Sequence, residues 1–445
     1  MPTQIEQLEQ TLEAHATPST RQAANWGLST HVTFRFGFTY LGLYCLTTQV
    51  FGGLVVPSAS LNSTFPDPGT LWPMRPIVFW TARHIFHVTS QLVIGDAGSG
   101  DKIYDWTQVL CMLVFAGLAT VIWSILDRRR ENYVNLYKWF RVVVRFALGS
   151  EMLAYGIAKV IPLQMPSLFL STLVEPVGHL SPMGMLWSSI SASPAYEVFA
   201  GSAEMLGGAL VLIPATATLG ALVCLADLTN VFMLNMTYDV PVKLFSFHLL
   251  VMAVLLLAPE FPRLVDLFIR NRAPDASPQP ALFRSARANR VAVAAQLIFG
   301  IYILASLGYG DSVVWRAYHT PRSPLYGIWE AGQTPDGAQS GSIPLRRLIF
   351  ESFDGDFAVI QGWDDSFTYC RMSLTLPNNM VTLTEFDDKN CKAQFGFRKP
   401  AQDRLILDGE MDKHKLHLDL RLIDDRKFLL VSRGFHWVQE IPFNR

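Results

Sequence analysis

Charge is what this sequence has too little of. Only 16% of its 445 residues are Asp, Glu, Lys or Arg, against about 25% in globular domains, while 50% are hydrophobic and 12% aromatic. That shortfall argues against an ordinary water-soluble enzyme and against a disordered or collagen-like chain, and it points to lipid. A surplus of either sign is missing too: 36 Lys and Arg face 37 Asp and Glu, so no basic field recruits nucleic acid as a main partner. The 5 cysteines form no C-x-x-C pair, which argues against a zinc ribbon or a thioredoxin-type dithiol. The opening MPTQIEQLEQ has neither a basic stretch nor an early apolar run. No cleaved signal peptide is expected, and insertion would rest on the first helix. No repeat of solenoid period is visible.

What is present is a series of apolar runs, each near the roughly 20 residues that span a bilayer. They lie at 31–56, 106–126, 142–161, 196–214, 216–236, 242–258 and 291–309, which makes about seven helices. The stretch 77–94 is apolar as well, but Arg83, His84, His87 and Gln91 interrupt it. It reads as an interfacial or re-entrant helix, with an eighth span as the alternative. Arginine sets the orientation, because cytoplasmic loops retain basic residues. One such loop holds Arg128, Arg129, Arg130, Lys138 and Arg141, and another runs from Arg263 to Arg290, whereas 162–194 contains no Lys or Arg. The expectation is a multi-pass protein of the cytoplasmic membrane, with segment 1–30 inside, the bundle at 31–310 and residues 311–445 outside.

After Tyr309 the pattern changes to short alternating segments: FAVIQGW, SLTLP, MVTLTEF, RLILDG, KLHLDLRLI and KFLLVSRGF. Val, Ile, Leu and Thr alternating with polar residues read as strands, bounded by turn signals such as Pro377 with Asn378 and Asp408 with Gly409. The expected fold class is thus a helical transmembrane bundle followed by a small all-β exterior domain. Stretches 273–280 and 321–344 read as linkers. An oxidising exterior permits a Cys370–Cys391 disulfide, while Cys45, Cys111 and Cys224 lie in apolar runs and read as small core residues. Trp329, Trp363 and Trp437 read as β-domain core or membrane-facing anchors.

An ionisable group inside a spanning helix costs a few kcal/mol and needs a partner or a purpose. Glu151, Tyr155 and Lys159 recur every four residues and share one helix face. Glu204 follows among glycines, then Asp227 with Asn230, and then Lys243 with His248. Counted from the outer ends, the cations lie within ~5 Å and the carboxylates at ~12 to 16 Å, from the 1.5 Å helical rise. This places one polar pocket in the outer half of the bilayer. The alternative is a set of ion pairs that hold the helices together, with the glycines allowing close packing. His84 and His87, three apart, are weak candidates for a metal or a quinone head group. Arg35 near the inner end of the first helix reads as snorkelling toward phosphate.

Three stretches carry a resemblance: GSEMLAYGIAKVIPLQM, AEMLGGALVLIPATATLGAL and NMTYDVPVKLFSFHLLVMAVLLLAP. They are similar to the DoxX-like integral membrane proteins of bacteria, over roughly 145–258. The specific elements are the Y-G-x-x-K of Tyr155 to Lys159, the E-x-x-G-G of Glu204 to Gly208, and Lys243 with His248. The tail RGFHWVQEIPFNR resembles the end of longer, multi-domain members. The resemblance implies a four-helix core and a link to quinone, since the family is named for a thiosulfate:quinone oxidoreductase subunit and other members are linked to thiol or sulfur redox complexes. Bundles with an exterior β-rich domain also resemble the vitamin K-dependent carboxylase group, where a buried lysine acts as base on a quinol. By that architectural analogy Lys159 or Lys243 would take the part.

The first functional expectation is therefore quinone-linked redox chemistry. Lys159 or His248 would hydrogen-bond a quinone carbonyl and Glu151, Glu204 or Asp227 would relay the proton, in a site completed by Tyr155, Asn230 and Lys243. Electrons would come from a separate redox partner protein or from an unseen cofactor. The second is a non-enzymatic scaffold or binding protein whose β-domain docks an envelope partner. A transporter would show inverted repeats, and none is visible.

Overall fold

The computed structural model describes residues 25–55, 67–95, 98–165, 168–277, 279, 281–319, 322–332, 345–352, 356–385 and 391–444. Most of the expected cytoplasmic segment 1–30 and much of the linker 321–344 lie outside these residues. The first part is helical: α1 (Leu28–Thr47), α2 (Gln49–Val55), α3 (Met74–His84), α4 (Ile103–Leu126), α5 (Val134–Val160), α6 (Leu170–Val174), α7 (Pro182–Ser191), α8 (Pro194–Leu212), α9 (Ala217–Thr237), α10 (Lys243–Leu257), α11 (Phe261–Phe268) and α12 (Ala286–Tyr318). Among the described residues, 4 helices are long and apolar enough to cross a membrane: α4, Pro214–Thr237 around α9, Lys243–Phe268 through α10 and α11, and α12. The pair α1 and α2, bent by 72°, makes a fifth when the two are counted as one span.

Two further expected spans, 142–161 and 196–214, coincide with α5 and α8. Both carry charge, and α5 has Arg141, Arg145, Glu151 and Lys159 buried along it. Such a helix persists because protein surrounds it: α5 packs against α1, α2, α8, α10 and α12. Its Val144, Leu148 and Met152 join Leu41, Tyr44, Leu228, Leu249 and Met252 in the main core. Arg141 Nη1 donates to Tyr137 Oη at 3.3 Å, while its Nε and Nη2 are buried with no hydrogen-bond partner among the described residues. Arg145 donates to Val211 O at 2.9 Å and Leu212 O at 2.6 Å, which ties the end of α8 to α5. Arg35 corrects the snorkelling expectation. It is buried and donates to Tyr133 Oη at 2.9 Å, Ser124 Oγ at 2.9 Å and Asp127 O at 3.0 Å, so protein oxygens take the place of lipid phosphate.

The second part is a closed antiparallel barrel in simple up-and-down order: β1 (Gly327–Ala331), β2 (Leu345–Ser352), β3 (Asp356–Gly362), β4 (Phe367–Thr375), β5 (Met380–Glu385), β6 (Ala393–Ala401), β7 (Arg404–Met411) and β8 (His414–Ile423). Alternation fills the interior with Trp329, Leu348, Phe350, Met372, Leu383, Phe395 and Leu407, and Cys370 and Cys391 are bonded. Two local expectations change. KFLLVSRGF forms the short helix α13 (Leu429–Ser432) rather than a strand, because β8 already pairs with β1 and closure leaves no edge to extend. Asp408 and Gly409 lie inside β7 rather than at a turn. A Cβ on Gly409 would stand 2.0 Å from Gln394 O, so the glycine serves a close strand approach. The helical part also runs past the expected boundary at 311, since α12 continues to Tyr318.

Barrel and bundle meet along α6. Leu170, Leu173 and Val174 pack on the outer surface of the barrel against Ile328, Ile349 and Val359. Ser171 donates to Glu351 Oε1 from its backbone N at 2.9 Å and its Oγ at 3.0 Å, and Gln361 Nε2 donates to Val174 O at 3.3 Å. The Lys- and Arg-free loop 162–194 is therefore on the same side as the barrel. Burial pushes the Glu351 carboxyl above its usual range, a shift that the Ser171 donors reduce without cancelling. A carboxyl whose folded-state pKa is raised binds its proton more tightly in the folded state. Its contribution to the docked form is fullest below the ordinary carboxylate range and is lost as pH rises through the raised value. Glu351→Gln is expected to flatten that part of the stability profile, as measured by thermal unfolding of the purified protein across pH 4 to 8.

Candidate functional site

The site begins with a broken helix. Thr48, between α1 and α2, is extended, so the end of α1 loses partners that a continuous helix would supply. Gln108 on α4 repairs the break, its Nε2 donating to Thr47 O and Thr47 Oγ1, both at 3.2 Å. Irregular backbone at membrane depth needs such a partner. Beside the break opens a cavity of about 840 Å³, whose polar wall includes Gln49, Gln108, Glu151, Tyr155 and Asp311 and whose apolar wall includes Val109, Met112, Leu244, Phe245 and Leu307. It lies at the end of the bundle from which α5 and α12 run on toward the barrel.

Glu151 is 4% exposed and Asp311 3%. The Glu151 carboxylate accepts a hydrogen bond from Gln49, and Gln49 Nε2 also donates to Tyr155 Oη at 3.3 Å. Room for that carboxylate comes from Gly53: a Cβ there would stand 2.7 Å from Glu151 Oε1. Asp311 has no hydrogen-bond or ion-pair partner among the described residues. At the rim, Asp101 accepts from Lys243 N at 2.8 Å and Leu244 N at 2.9 Å, satisfying the start of α10 from another loop. The Lys243 side chain is drawn to Asp239 at 2.9 Å and Asp101 at 3.6 Å, so it belongs to this cap.

Lys159 faces α8, where its Nζ donates to both oxygens of Glu204 at 2.6 and 2.7 Å. Two glycines bring the helices close enough: a Cβ on Gly201 would stand 2.6 Å from Gly156 O and from Lys159 Cβ. Tyr155 bridges this pair and the cavity, its ring centroid 5.9 Å from Lys159 Nζ. On α9, Asp227 lies within electrostatic reach of Lys159 and Glu204, and its buried Oδ2 has no hydrogen-bond partner among the described residues. The result is a polar string of Glu151, Gln49, Tyr155, Lys159, Glu204 and Asp227, one end of which opens into the cavity.

The expected single pocket is therefore divided. Glu151 and Tyr155 line the cavity, Lys159 and Glu204 pair behind it, and Lys243 is held by Asp101 and Asp239 at its rim. His248 is enclosed: Tyr40 Oη lies 2.6 Å from its Nε2, Leu244 O 2.6 Å from its Nδ1, and its ring stacks on Tyr44 at 3.8 Å. Asn230 is exposed on α9. His84 and His87 are exposed at the end of α3, with His84 stacked on Trp80, and no group of three or more His, Cys, Asp or Glu among the described residues is placed to hold a metal. Gln49, Gln108 and Asp311 were not singled out from the sequence. Thr47-Thr48 and Gly52-Gly53 mark the break, and a lone Gln108 in an apolar run marks its partner.

The chain is similar to the uncharacterized protein YwoB of Bacillus subtilis (strain 168), at 30% identity over 133 residues, which is 28% of this chain and 79% of that protein. No family model matches the chain, and no solved structure matches it.

Removing one member of a buried pair strands the other charge, at a cost of about 3–5 kcal/mol. Lys159→Met is expected to lower stability by about that amount, and adding Glu204→Leu to recover most of it, because two apolar groups replace two buried charges. Denaturant unfolding in detergent of the two single variants and the double variant measures the cycle; a double variant as unstable as the sum of the singles would mean that the pair makes no coupled contribution.

Proposed function

From the premise that the chain belongs to the family of the uncharacterized protein YwoB, whose name carries no activity, we propose that it is a DoxX-like, seven-span protein of the bacterial cytoplasmic membrane that takes part in quinone-linked redox chemistry. In this reading α5 and α8 complete the spans begun by the apolar helices, with charge tolerated in α5 because its neighbours exclude lipid. The N-terminus lies inside and the barrel outside. The Cys370–Cys391 bond supports an oxidising exterior for the barrel, as does its packing on the loop free of Lys and Arg.

The observation that carries the functional reading is the composition of the cavity wall. A quinone is a flat apolar ring with carbonyl acceptors. Leu244, Phe245, Met112 and Leu307 supply the apolar face, and Gln49, Gln108 and Tyr155 supply groups able to donate to a carbonyl. The quinone, when bound, supplies the two-electron chemistry. Glu151 is placed to hold or release a proton at the cavity surface, and the string through Tyr155 to Lys159 and Glu204 gives that proton polar neighbours inside the bundle. Electrons come in this reading from a redox partner protein.

Two measurements test it. Titrating the protein in nanodiscs with a short-chain quinone is expected to quench tryptophan fluorescence saturably, and Tyr155→Phe to weaken that binding about tenfold, as loss of one donor to a carbonyl would. Absence of saturable quenching in the unaltered protein would remove the quinone. Alkaline phosphatase fused after Arg445 is expected to be active in cells; inactivity there, with activity of a cytoplasmic reporter at the same point, would reverse the orientation.

A further inference from the structure

Beyond β8 the chain carries apolar surface that no described residue covers. Leu430 is 63% exposed, Phe435 76%, Trp437 92%, Val438 75% and Ile441 79%. A soluble domain rarely leaves so many large apolar side chains contiguous and bare. The root of this segment is fixed in space: Phe428 packs into the cluster of Leu170, Val174, Ile328, Ile349 and Val359, the seam by which the barrel sits on the bundle. The segment therefore starts at the end of the helices, level with the surface of the membrane they cross.

Its composition matches that level. Trp and aromatic rings collect where headgroups meet acyl chains, and an arginine there keeps its stem in apolar surroundings and its head on phosphate. Here Phe435 and Trp437 meet edge to face at 5.0 Å, and the Arg433 guanidinium lies 4.7 Å from the centroid of the Phe443 ring. Trp72 and Trp80, 85% and 57% exposed, lie in the chain between α2 and α4 and so at the same end of the bundle. The charges near the root, Asp424 and Asp425 against Arg426 and Lys427, offset one another, so attraction to an anionic surface does not drive the contact and apolar burial does.

We propose that residues 429–443 lie in the bilayer interface at the barrel end of the bundle, with Phe435, Trp437, Val438 and Ile441 among headgroups and upper acyl chains. This surface is independent of what the cavity binds. It holds the barrel at a second point, beside its seam with α6.

The test places an environment-sensitive dye at position 437 of the full chain in phosphatidylcholine proteoliposomes. Trp437→Cys alters a side chain 92% exposed, so packing is undisturbed, and Ile441→Cys repeats the measurement. Lys413→Cys, in the turn at the far end of β8 and about 30 Å from the seam by strand rise, is the aqueous control. Labelling of the unaltered protein corrects for Cys45, Cys111 and Cys224. The expected result is blue-shifted emission at 437 and 441 that loses about half its intensity to lipid spin-labelled near the headgroup, with neither effect at 413. Water-like emission quenched by iodide at 437 and 441 overturns the proposal. Blue-shifted emission that the spin-labelled lipid leaves unchanged also overturns it, and places the segment against protein, such as a second copy of the chain.

Discussion

The bundle depends on one contact, the Lys159–Glu204 pair in the glycine seam between α5 and α8. Neither charge is stable alone in a surrounding of low dielectric, and their attraction offsets desolvation only at close range. That range is set by backbone: where Gly201 meets Gly156, a Cβ would stand 2.6 Å from the facing carbonyl. The glycines therefore come before the ion pair in the order of causes. Once α5 and α8 are fixed in this way, Arg145 reaches Val211 O and Leu212 O, and α5 becomes the central helix against which α1, α2, α10 and α12 pack. A helix with four buried charges is then a sensible centre, because each charge has a protein partner or a neighbour and lipid touches little of it.

The cavity follows from a second, smaller irregularity. Thr48 interrupts a helix that hydropathy alone would draw straight, and α2 swings through 72°. That turn moves Gln49 and Gly53 onto Glu151, so a carboxylate that would otherwise sit in apolar contact faces a polar space. Interrupted helices recur at binding sites in membrane proteins because the break frees polar backbone where a ligand can use it. Here Gln108 satisfies part of that freed backbone, and Gln49, Glu151, Tyr155 and Asp311 stand in the polar wall beside it.

Much of this was legible in the sequence at the level of elements. Charge deficit and apolar runs gave the membrane helices, and period-two alternation gave strands at MVTLTEF, RLILDG and KLHLDLRLI. Three strands escaped, β1, β2 and β6: GIWEA is short, LRRLIFES does not alternate cleanly, and AQFGFRKPA alternates only as far as Arg398 before Lys399 and Pro400 interrupt it. Gly409 misled because a glycine that signals a turn and a glycine that admits a neighbouring strand have the same letter, and only the position of Gln394 O, 2.0 Å from where a Cβ would stand, separates them. The four-residue spacing of Glu151, Tyr155 and Lys159 correctly put them on one helix, but a helix face is wide. Side chains at its two margins turn to different neighbours, Glu151 to α2 and Lys159 to α8. His248 was grouped with Lys243 on one apolar run, whereas its surroundings, a stack on Tyr44 and a bond to Tyr40, come from a helix some 200 positions earlier in the chain.

The two halves of the molecule are joined more closely than their different architectures suggest. The barrel is closed, internally filled and cross-linked by Cys370–Cys391, so it moves as one piece. It is held by the α6 seam and by α12, which carries Asp311 into the cavity wall and then leads through Tyr318 toward β1. At the seam, Ser171 on α6 donates to Glu351 on β2, so a short helix of the loop that follows α5 is fixed to the outer face of the barrel. The cavity wall itself is drawn from the helical part and its loops, from Tyr44 to Asp311, and the barrel stands beside that site without lining it.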